Sequence, residues 1–282
     1  VILPSYTFVS TANAFVLRGA TPVFVDIRPD TLNLDEELVA KAVTGRTKAI
    51  VPVHYGGVGC AMERLMAIAH DAELAVIEDA AQGITATHDE RPLGSIGHLG
   101  CLSFHGTKNL VAGEGGALLV NDARYLERAE IIREKGTNRA AFLAGQVDKY
   151  TWQDVGSSFL MSEMAAALLH GQLTRAEELQ SRRISAWQRY QDAFKSLEDV
   201  GFVRRPQTPV SGGHNAHVYY LLFNDLRERE RVRAALRDAG IGASFHYVPL
   251  HSSPAGQRYG RVASSMAVTD AVSDGLLRLP LY

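Results

Sequence analysis

Short apolar runs alternate with helical patterns through the first half of the chain, and this alternation constrains the fold more than any other feature. Ala49–Val53 and Leu74–Ile77 are apolar and short enough to be buried strands. Between them, Met62–Ala69 carries apolar residues at the i, i+3, i+4, i+7 spacing of one helix face. Two more strands are predicted at Leu99–Phe104 and Ala117–Val120. The sequence therefore predicts an α/β fold with a mostly parallel central sheet and helices on both faces.

The pattern changes near Ser162. Residues 163–197 contain no proline, and only Gly171 interrupts a helical pattern, which predicts a long helix or a helix pair. A small α+β unit is predicted beyond it, with a strand at 218–223, a helix at 228–239 and a strand at 243–248. The loop Pro206–Gly213 is rich in Pro, Gly, Ser and Thr and is a predicted hinge. We therefore predict a large domain over 1–160, a linking helical region over 161–200 and a small C-terminal α+β domain over 201–282.

Composition and charge narrow the functional classes. The 282 residues carry 29 basic and 31 acidic side chains, interspersed along the chain, so we expect neither a nucleic-acid partner nor a basic membrane-binding face. No apolar run approaches the roughly 20 residues that span a bilayer. Two cysteines, Cys60 and Cys101, are typical of a reducing compartment, so we expect a cytoplasmic protein. The chain opens at Val1 inside an apolar run, and we expect residues upstream of it to be missing.

Three polar side chains follow predicted strands in a way that suggests one pocket. Asp79 and Gln82 follow the strand at 74–77, and Lys108 follows the strand at 99–104. In open α/β sheets, ligands bind outside the carboxyl ends of the strands. A pyridoxal phosphate (PLP) cofactor needs such a set, because a lysine amine condenses with its aldehyde and a carboxylate keeps its ring nitrogen protonated. An amide can hold the ring hydroxyl.

Each of these residues also has a plainer interpretation. An aspartate after a strand is often a turn former or helix cap, and a lysine in a polar loop is usually a solvated charge. The glycines of Gly113–Gly116 alone indicate only a flexible turn. Gly57–Gly59 lacks the third glycine of a dinucleotide fingerprint. His246 and His251 lack an acidic or cysteine partner nearby in sequence, so no metal site is predicted.

Four stretches in order resemble the sugar aminotransferases of the DegT/DnrJ/StrS family. They are Pro4–Ala14, Val76–Gln82, Ser103–Asn109 and Gly113–Gly116, and the similarity extends along essentially the whole chain. The resemblance implies a PLP-dependent transferase of fold type I that acts as a homodimer, with active sites at the subunit interface. A related branch of the family replaces the lysine with histidine and performs dehydration, and Lys108 argues against that branch.

The resemblance also implies roles for individual residues. Lys108 matches the lysine that carries the cofactor, Asp79 the partner of the pyridine nitrogen and Gln82 the amide at the ring hydroxyl. The other matching positions are a phosphate ligand at Ser103, an aromatic side chain stacked on the ring at Phe8, a phosphate ligand reaching across from the neighbouring subunit at Ser158, and a sugar contact at His246. The family has asparagine where this chain has Ser158. A phosphate-binding turn that the family carries upstream has no counterpart here.

The implied reaction moves an amino group from L-glutamate to a nucleotide-linked keto-sugar. Three further stretches, Arg133–Arg139, Gly145–Trp152 and Phe245–His251, resemble the branch that aminates C4 of dTDP-4-keto-6-deoxy-D-glucose. Two alternatives stay open. One is a sibling enzyme with another nucleotide sugar or a 3-keto position, and the other is a non-catalytic regulator on the same fold.

Overall fold

The computed structural model describes residues 1–209 and 212–281. The strands are β1 (Ile2–Pro4), β2 (Val23–Val25), β3 (Ala49–Ile50), β4 (Ala75–Asp79), β5 (Thr87–His88), β6 (Arg91–Pro92), β7 (Leu99–Ser103), β8 (Gly116–Val120), β9 (Val203–Arg204), β10 (Gly212–Gly213), β11 (Tyr219–Phe223), β12 (Arg261–Val262) and β13 (Leu276–Leu279). The helices are α1 (Val9–Val16), α2 (Glu36–Ala42), α3 (Met62–Asp71), α4 (Leu126–Arg133), α5 (Arg139–Leu143), α6 (Glu163–Leu173), α7 (Ala176–Ala193), α8 (Lys195–Asp199), α9 (Leu226–Asp238), α10 (Pro254–Tyr259) and α11 (Ala267–Gly275).

The central sheet has seven strands in the order β12-β2-β1-β3-β4-β7-β8. All neighbours pair in parallel except β7 and β8, which are joined as an antiparallel pair. The predicted mostly parallel sheet is therefore confirmed. One of its edges, β12, comes from the C-terminal part of the chain. The predicted domain boundaries at 160 and 200 stay predictions.

Successive residues of a strand point to opposite faces of the sheet. In this sheet, helices cover both faces. Ile2 and Ile50 pack with residues of α2 and α3 on one face. Leu3 and Val51 belong to the cluster on the other face, which includes Ala12 of α1. The strands are apolar on both sides for this reason, and their carboxyl ends are left to carry the polar side chains.

A second, antiparallel sheet in the order β13-β11-β9 forms the core of the C-terminal part. Trp187 of α7 packs on one face of it together with Tyr219 and Leu277. Tyr220 and Leu276 point to the opposite face and pack with Tyr55. This sheet therefore links the long helical region to residues that follow β3.

Two predictions about elements need correction. The helical stretch after Ser162 is divided into α6, α7 and α8. The predicted strand at 243–248 is wrong: only Ser244 forms a β-bridge, with Arg278. The backbone beyond it leaves the sheet and brings His246 and Tyr247 against Tyr55 instead of continuing the ladder. The predicted hinge Pro206–Gly213 contains residues 210 and 211, which lie outside the described residues.

Candidate active site

The carboxyl ends of three parallel strands bring the predicted site residues to one edge of the sheet. β1 ends at Pro4 and leads to Phe8 at the start of α1. β4 ends at Asp79, which lies opposite Cys101 of β7. β7 ends at Ser103, five residues before Lys108. Asp79 lies at the end of β4, and Lys108 follows the end of β7, as the sequence predicted for their backbone positions.

The Asp79 carboxylate is held from two sides. The Thr11 hydroxyl of α1 donates to Oδ2 at 2.6 Å, and the Ala81 N–H donates to Oδ1 at 3.1 Å. Thr7 and Thr11 share a further hydrogen bond of 2.8 Å between their hydroxyls. These contacts fix the orientation of the carboxylate and tie α1, with Phe8 at its start, to the end of β4.

Lys108 lies in a turn stabilised by backbone hydrogen bonds, one of which runs from its N–H to the His105 carbonyl at 2.9 Å. Burial lowers the pKa of the Lys108 amine; the Asp79 charge opposes this shift, and the Arg278 charge adds to it. A lower pKa leaves more of the amine unprotonated at a given pH. The residue therefore has the property that a nucleophilic lysine requires.

The residue after the lysine anchors this turn to the C-terminal part of the chain. The Asn109 side chain donates to the Asn215 carbonyl at 2.8 Å, and its oxygen lies 2.8 Å from His217 Nδ1. Burial lowers the pKa of His217 well below its ordinary value, so the ring is neutral and its Nδ1 is the donor. The position of Lys108 therefore depends on residues more than a hundred positions away.

Gln82 has a fixed amide orientation. The Gly56 N–H donates to its oxygen at 2.7 Å, so the oxygen must face Gly56, and Nε2 donates to the Tyr247 hydroxyl at 2.9 Å. An amide has two N–H donors, and Tyr247 takes one. No other acceptor in the part of the chain that the structure describes pairs with Nε2, so its second N–H remains for a ligand.

His246 lies beside the aromatic side chains near Gln82. Its Nδ1 is 3.0 Å from the Tyr55 hydroxyl, and burial lowers the pKa of the ring to about 2. The ring is therefore neutral at physiological pH. Since Tyr55 lies 5.6 Å from the His246 ring between centroids, the two form one wall of the site.

A fully buried pair lies directly behind Asp79. Glu78 accepts hydrogen bonds from His54 Nε2 and from the backbone N–H groups of Gly94, Ile96 and Gly97. Burial alone would raise the pKa of Glu78, but the His54 bond and these N–H donors hold it below its ordinary value. The pair therefore fixes the end of β4 to the loop before β7.

The remaining predicted residues are more exposed. Phe8 is 57% exposed, so one face of its ring is free to stack on a ligand. The Ser103 hydroxyl faces the His105 N–H at 3.4 Å. Ser158 is exposed and lines a cavity of about 480 Å³ beside the Gly115–Gly116 turn, and neither Asp79 nor Lys108 is part of that lining. Within one chain, Ser158 is therefore not brought together with the other predicted residues.

One group of described side chains has the spacing of a metal site. Candidate ligand atoms of Glu63, His88 and Asp89 lie within 4.8 Å of one another, on and near the β5–β6 hairpin. His88 Nε2 already hydrogen-bonds the Glu63 carboxylate at 2.8 Å. The absence of a metal stays a prediction.

Several residues of the site have no role that the sequence predicts. Thr11, Asn109 and Tyr247 lie inside the stretches that carry the family resemblance. Their place in these stretches was the sign in the sequence that they belong to the site. Their partners are distant in sequence and no local pattern reveals them. His217 and Arg278 follow no motif, and only the structure brings them to the site.

The model of the DegT/DnrJ/EryC1/StrS aminotransferase family matches residues 1–282. The chain belongs to this family. It is a sugar aminotransferase that depends on PLP, with the fold type I architecture expected from the resemblance. Among the described residues, no helix combines the length and apolar character needed to cross a membrane.

Individual relatives agree with this assignment. The Bacillus subtilis (strain 168) spore coat polysaccharide biosynthesis protein SpsC is 37% identical to this aminotransferase over 290 residues, covering 100% of the chain and 74% of SpsC. Helicobacter pylori PseC, an aminotransferase involved in the biosynthesis of pseudoaminic acid, has a TM-score of 0.89 at 26% identity, covering 99% of the chain and 73% of PseC. The PLP form of Spr1654 from Streptococcus pneumoniae has a TM-score of 0.88 at 25% identity, covering 100% of the chain and 75% of Spr1654.

The side chains of this aminotransferase fit PLP chemically. The edge of the sheet offers a carboxylate for a ring nitrogen, an amine of lowered pKa for an aldehyde and a free N–H for a ring hydroxyl. The exposed ring of Phe8 offers a flat surface. These are the groups that PLP requires.

Proposed function

We propose that this aminotransferase moves an amino group from L-glutamate to C4 of a nucleotide-linked 4-keto-6-deoxy sugar. The specific reaction is conversion of dTDP-4-keto-6-deoxy-D-glucose to dTDP-4-amino-4,6-dideoxy-D-galactose. The observation that carries the proposal is the Lys108 amine of lowered pKa, at the same sheet edge as the fixed Asp79 carboxylate. The choice of sugar is supported by the resemblance of three stretches to the transaminase of enterobacterial common antigen synthesis, a lipopolysaccharide-related pathway.

In this proposal Lys108, Asp79 and Gln82 divide the chemistry. Bound PLP supplies an aldehyde that exchanges amines and a ring that draws electrons from the reacting carbon. Asp79, oriented by Thr11, faces the ring nitrogen and keeps its proton in place. Gln82 donates its second N–H to the ring hydroxyl. The Lys108 amine holds the cofactor between turnovers and moves the proton at the reacting carbon.

Phe8 and Ser103 hold the cofactor from this chain, while Ser158 comes from a second copy. Phe8 stacks on the ring and the Ser103 hydroxyl binds the phosphate. The Ser158 region carries a set of exposed apolar side chains that a second copy would cover: Phe142, Trp152, Phe159, Leu160, Met164 and Leu168. We therefore propose a homodimer with shared active sites.

His246 contacts the sugar in this proposal. Because its ring is neutral, it can orient a sugar hydroxyl by hydrogen bonding without introducing charge. We expect the reaction in the cytoplasm, since Cys60 and Cys101 are both free thiols.

A sibling reaction is the second candidate. SpsC is named as a spore coat polysaccharide biosynthesis protein, and it is 37% identical to this aminotransferase. Its likeness favours amination of another nucleotide-linked keto-sugar, at C4 or at a 3-keto position.

The proposal is tested by incubating the PLP-loaded protein with L-glutamate and dTDP-4-keto-6-deoxy-D-glucose. Mass spectrometry and NMR of the product should identify the 4-amino-4,6-dideoxy-D-galactose nucleotide. An epimeric product, or amination of a 3-keto isomer alone, would establish the sibling reaction. Protein that shows no visible cofactor absorbance and aminates no keto-sugar would refute both.

A further inference from the structure

Asn215 carries a completely buried side-chain amide that joins two separate segments of the chain. Its Nδ2 donates to the Gln82 carbonyl and to the Ile84 carbonyl, each at 2.7 Å. Its oxygen accepts from the His217 N–H at 3.0 Å, which closes a turn around Ala216. An amide has two N–H donors, and both are used here. The orientation of this side chain is therefore fixed.

The backbone of Asn215 holds the other side of the site. Its carbonyl accepts from Asn109 Nδ2 at 2.8 Å, and Asn109 Oδ1 lies 2.8 Å from His217 Nδ1. Asn109 directly follows Lys108, so both ends of its amide hold the lysine turn against the turn of Asn215. One residue of the C-terminal part therefore contacts the Gln82 segment through its side chain and the Lys108 segment through its backbone.

The surroundings of Asn215 leave little room for the Gln82 segment to move. Gly57 packs so closely against Asn215 that a Cβ on Gly57 would collide with the amide oxygen. The neighbouring Gly56 donates to the Gln82 side-chain oxygen at 2.7 Å, and Gln82 Nε2 donates to the Tyr247 hydroxyl at 2.9 Å. Gln82 is therefore held at its backbone by Asn215 and at its side chain by the turn that packs against Asn215.

We propose that Asn215 is a positioning residue that sets the place of the Gln82 amide relative to the Lys108 amine, an inference that rests on the proposed function. A cofactor held at one end by Lys108 and at its ring hydroxyl by Gln82 requires a fixed separation of the two groups, because hydrogen bonds weaken steeply away from their best geometry. Without the Asn215 amide, the Gln82 carbonyl loses a donor and its segment shifts. The loss should therefore affect the contact with the ring hydroxyl.

Asn215→Ala tests this role in binding and spectroscopy of PLP. We expect it to weaken PLP binding about tenfold or more, because the hydrogen bonds to the carbonyls of Gln82 and Ile84 are lost. The pH midpoint of the visible absorbance of the PLP-loaded protein should shift in the same direction as in Gln82→Ala, since both variants disturb the donor to the ring hydroxyl. Asn224→Ala, at an exposed amide that donates to the Gly201 carbonyl at 3.3 Å, is the matched control and should change neither.

A double variant separates positioning from a general loss of structure. If Asn215 acts through Gln82, adding Asn215→Ala to Gln82→Ala should change the PLP affinity and the absorbance midpoint little further. Asn215→Ser should fall between wild type and Asn215→Ala, since its hydroxyl can accept from the His217 N–H and donate to one carbonyl. Thermal unfolding without PLP checks the fold of each variant, and Asn215→Ser carries the test if Asn215→Ala does not fold.

The outcomes distinguish this inference from the proposed function. Wild-type protein that neither carries PLP on Lys108 nor aminates a keto-sugar refutes the function. Active wild-type protein, together with wild-type PLP affinity and absorbance midpoint in Asn215→Ala, refutes the role of Asn215 alone. A loss of affinity that is equally large with and without the Gln82 amide, at an unchanged midpoint, shows a purely structural role and also overturns the inference.

Discussion

Individual side chains of the site are oriented by partners that are far away in the sequence. Asp79 is fixed by Thr11 of α1, and Asn109 ties the lysine turn to His217. A hydrogen bond to a charged group contributes about 1.5–3 kcal/mol. Small changes in these partners should therefore alter catalysis while the fold is kept.

Thr11→Val should lower kcat/KM about tenfold or more, because Asp79 Oδ2 loses the one hydroxyl donor that it has among residues 1–209 and 212–281, while side-chain shape is kept. Thr11→Ser should retain most activity. Thr7→Val is the matched control, since the Thr7 hydroxyl contacts Thr11 and not Asp79. Steady-state kinetics and thermal unfolding measure the effects. Equal losses in Thr11→Val and Thr7→Val would contradict a specific role for the Asp79 contact.

Glu78→Gln should lower the free energy of unfolding at pH 7 on the order of 3 kcal/mol, because an amide cannot accept all the N–H donors around the buried carboxylate. The folded pKa of Glu78 is lowered, so its stabilisation is present above the unfolded pKa of about 4.3 and is lost as pH falls through the folded pKa. Urea unfolding of both proteins at pH 7 and pH 4 measures the difference. A gap that widens at pH 4 would contradict an ionised Glu78.

At the scale of elements, close turns decide where helices stop. α4 ends at Arg133, and the backbone then passes through Gly136 with a φ of 76°, which only glycine adopts readily. A Cβ on Gly136 would also collide with the Asp154 carbonyl. Gly145 has a φ of 70° but open space around it.

Gly136→Ala should therefore lower the melting temperature clearly more than Gly145→Ala. Both variants carry the backbone strain of a positive φ, about 1 kcal/mol, and only the first adds the collision. Differential scanning calorimetry of the two variants gives the comparison. Equal melting temperatures would mean that the segment of residues 154–156 moves aside at little cost.

Four strands of the central sheet, β3, β4, β7 and β8, could be predicted because their apolar runs are short and bounded by polar residues, whereas β2 and β12 were not predicted. β4 and β7 lie within a residue or two of the predicted ranges, and with them the positions of Asp79 and Lys108. The predicted strand at 243–248 was wrong because His246 and Tyr247 pack against Tyr55 instead of pairing with a neighbouring strand. Contacts such as Thr11 with Asp79 arise from tertiary structure, and no local pattern encodes them.

On the scale of the whole molecule, the exposed apolar side chains around Ser158 predict that two copies of the chain form a homodimer. Met164 of α6 is 84% exposed, and Phe159 is 66% exposed. Contiguous exposed apolar surface is typical of an interface between subunits. We expect a second copy of this chain to cover it and to supply Ser158.

Met164→Glu should convert the dimer to monomer and abolish activity, since a charge would be buried in the interface. Val200→Glu, at a residue 76% exposed after α8, should change neither. Light scattering gives the mass in solution, and the amination assay gives the activity. A Met164→Glu protein that stays dimeric and active would exclude this face as the interface.

The most direct test of the account is the covalent position of the cofactor. Borohydride reduction of the PLP-loaded protein, followed by peptide mapping, should place the reduced cofactor on Lys108. Lys108→Ala should take up no reducible label and should not transaminate, because the neighbouring Asn109 carries an amide that cannot replace the amine. A label on another lysine, or transamination by Lys108→Ala, would contradict the central claim that Lys108 performs the chemistry.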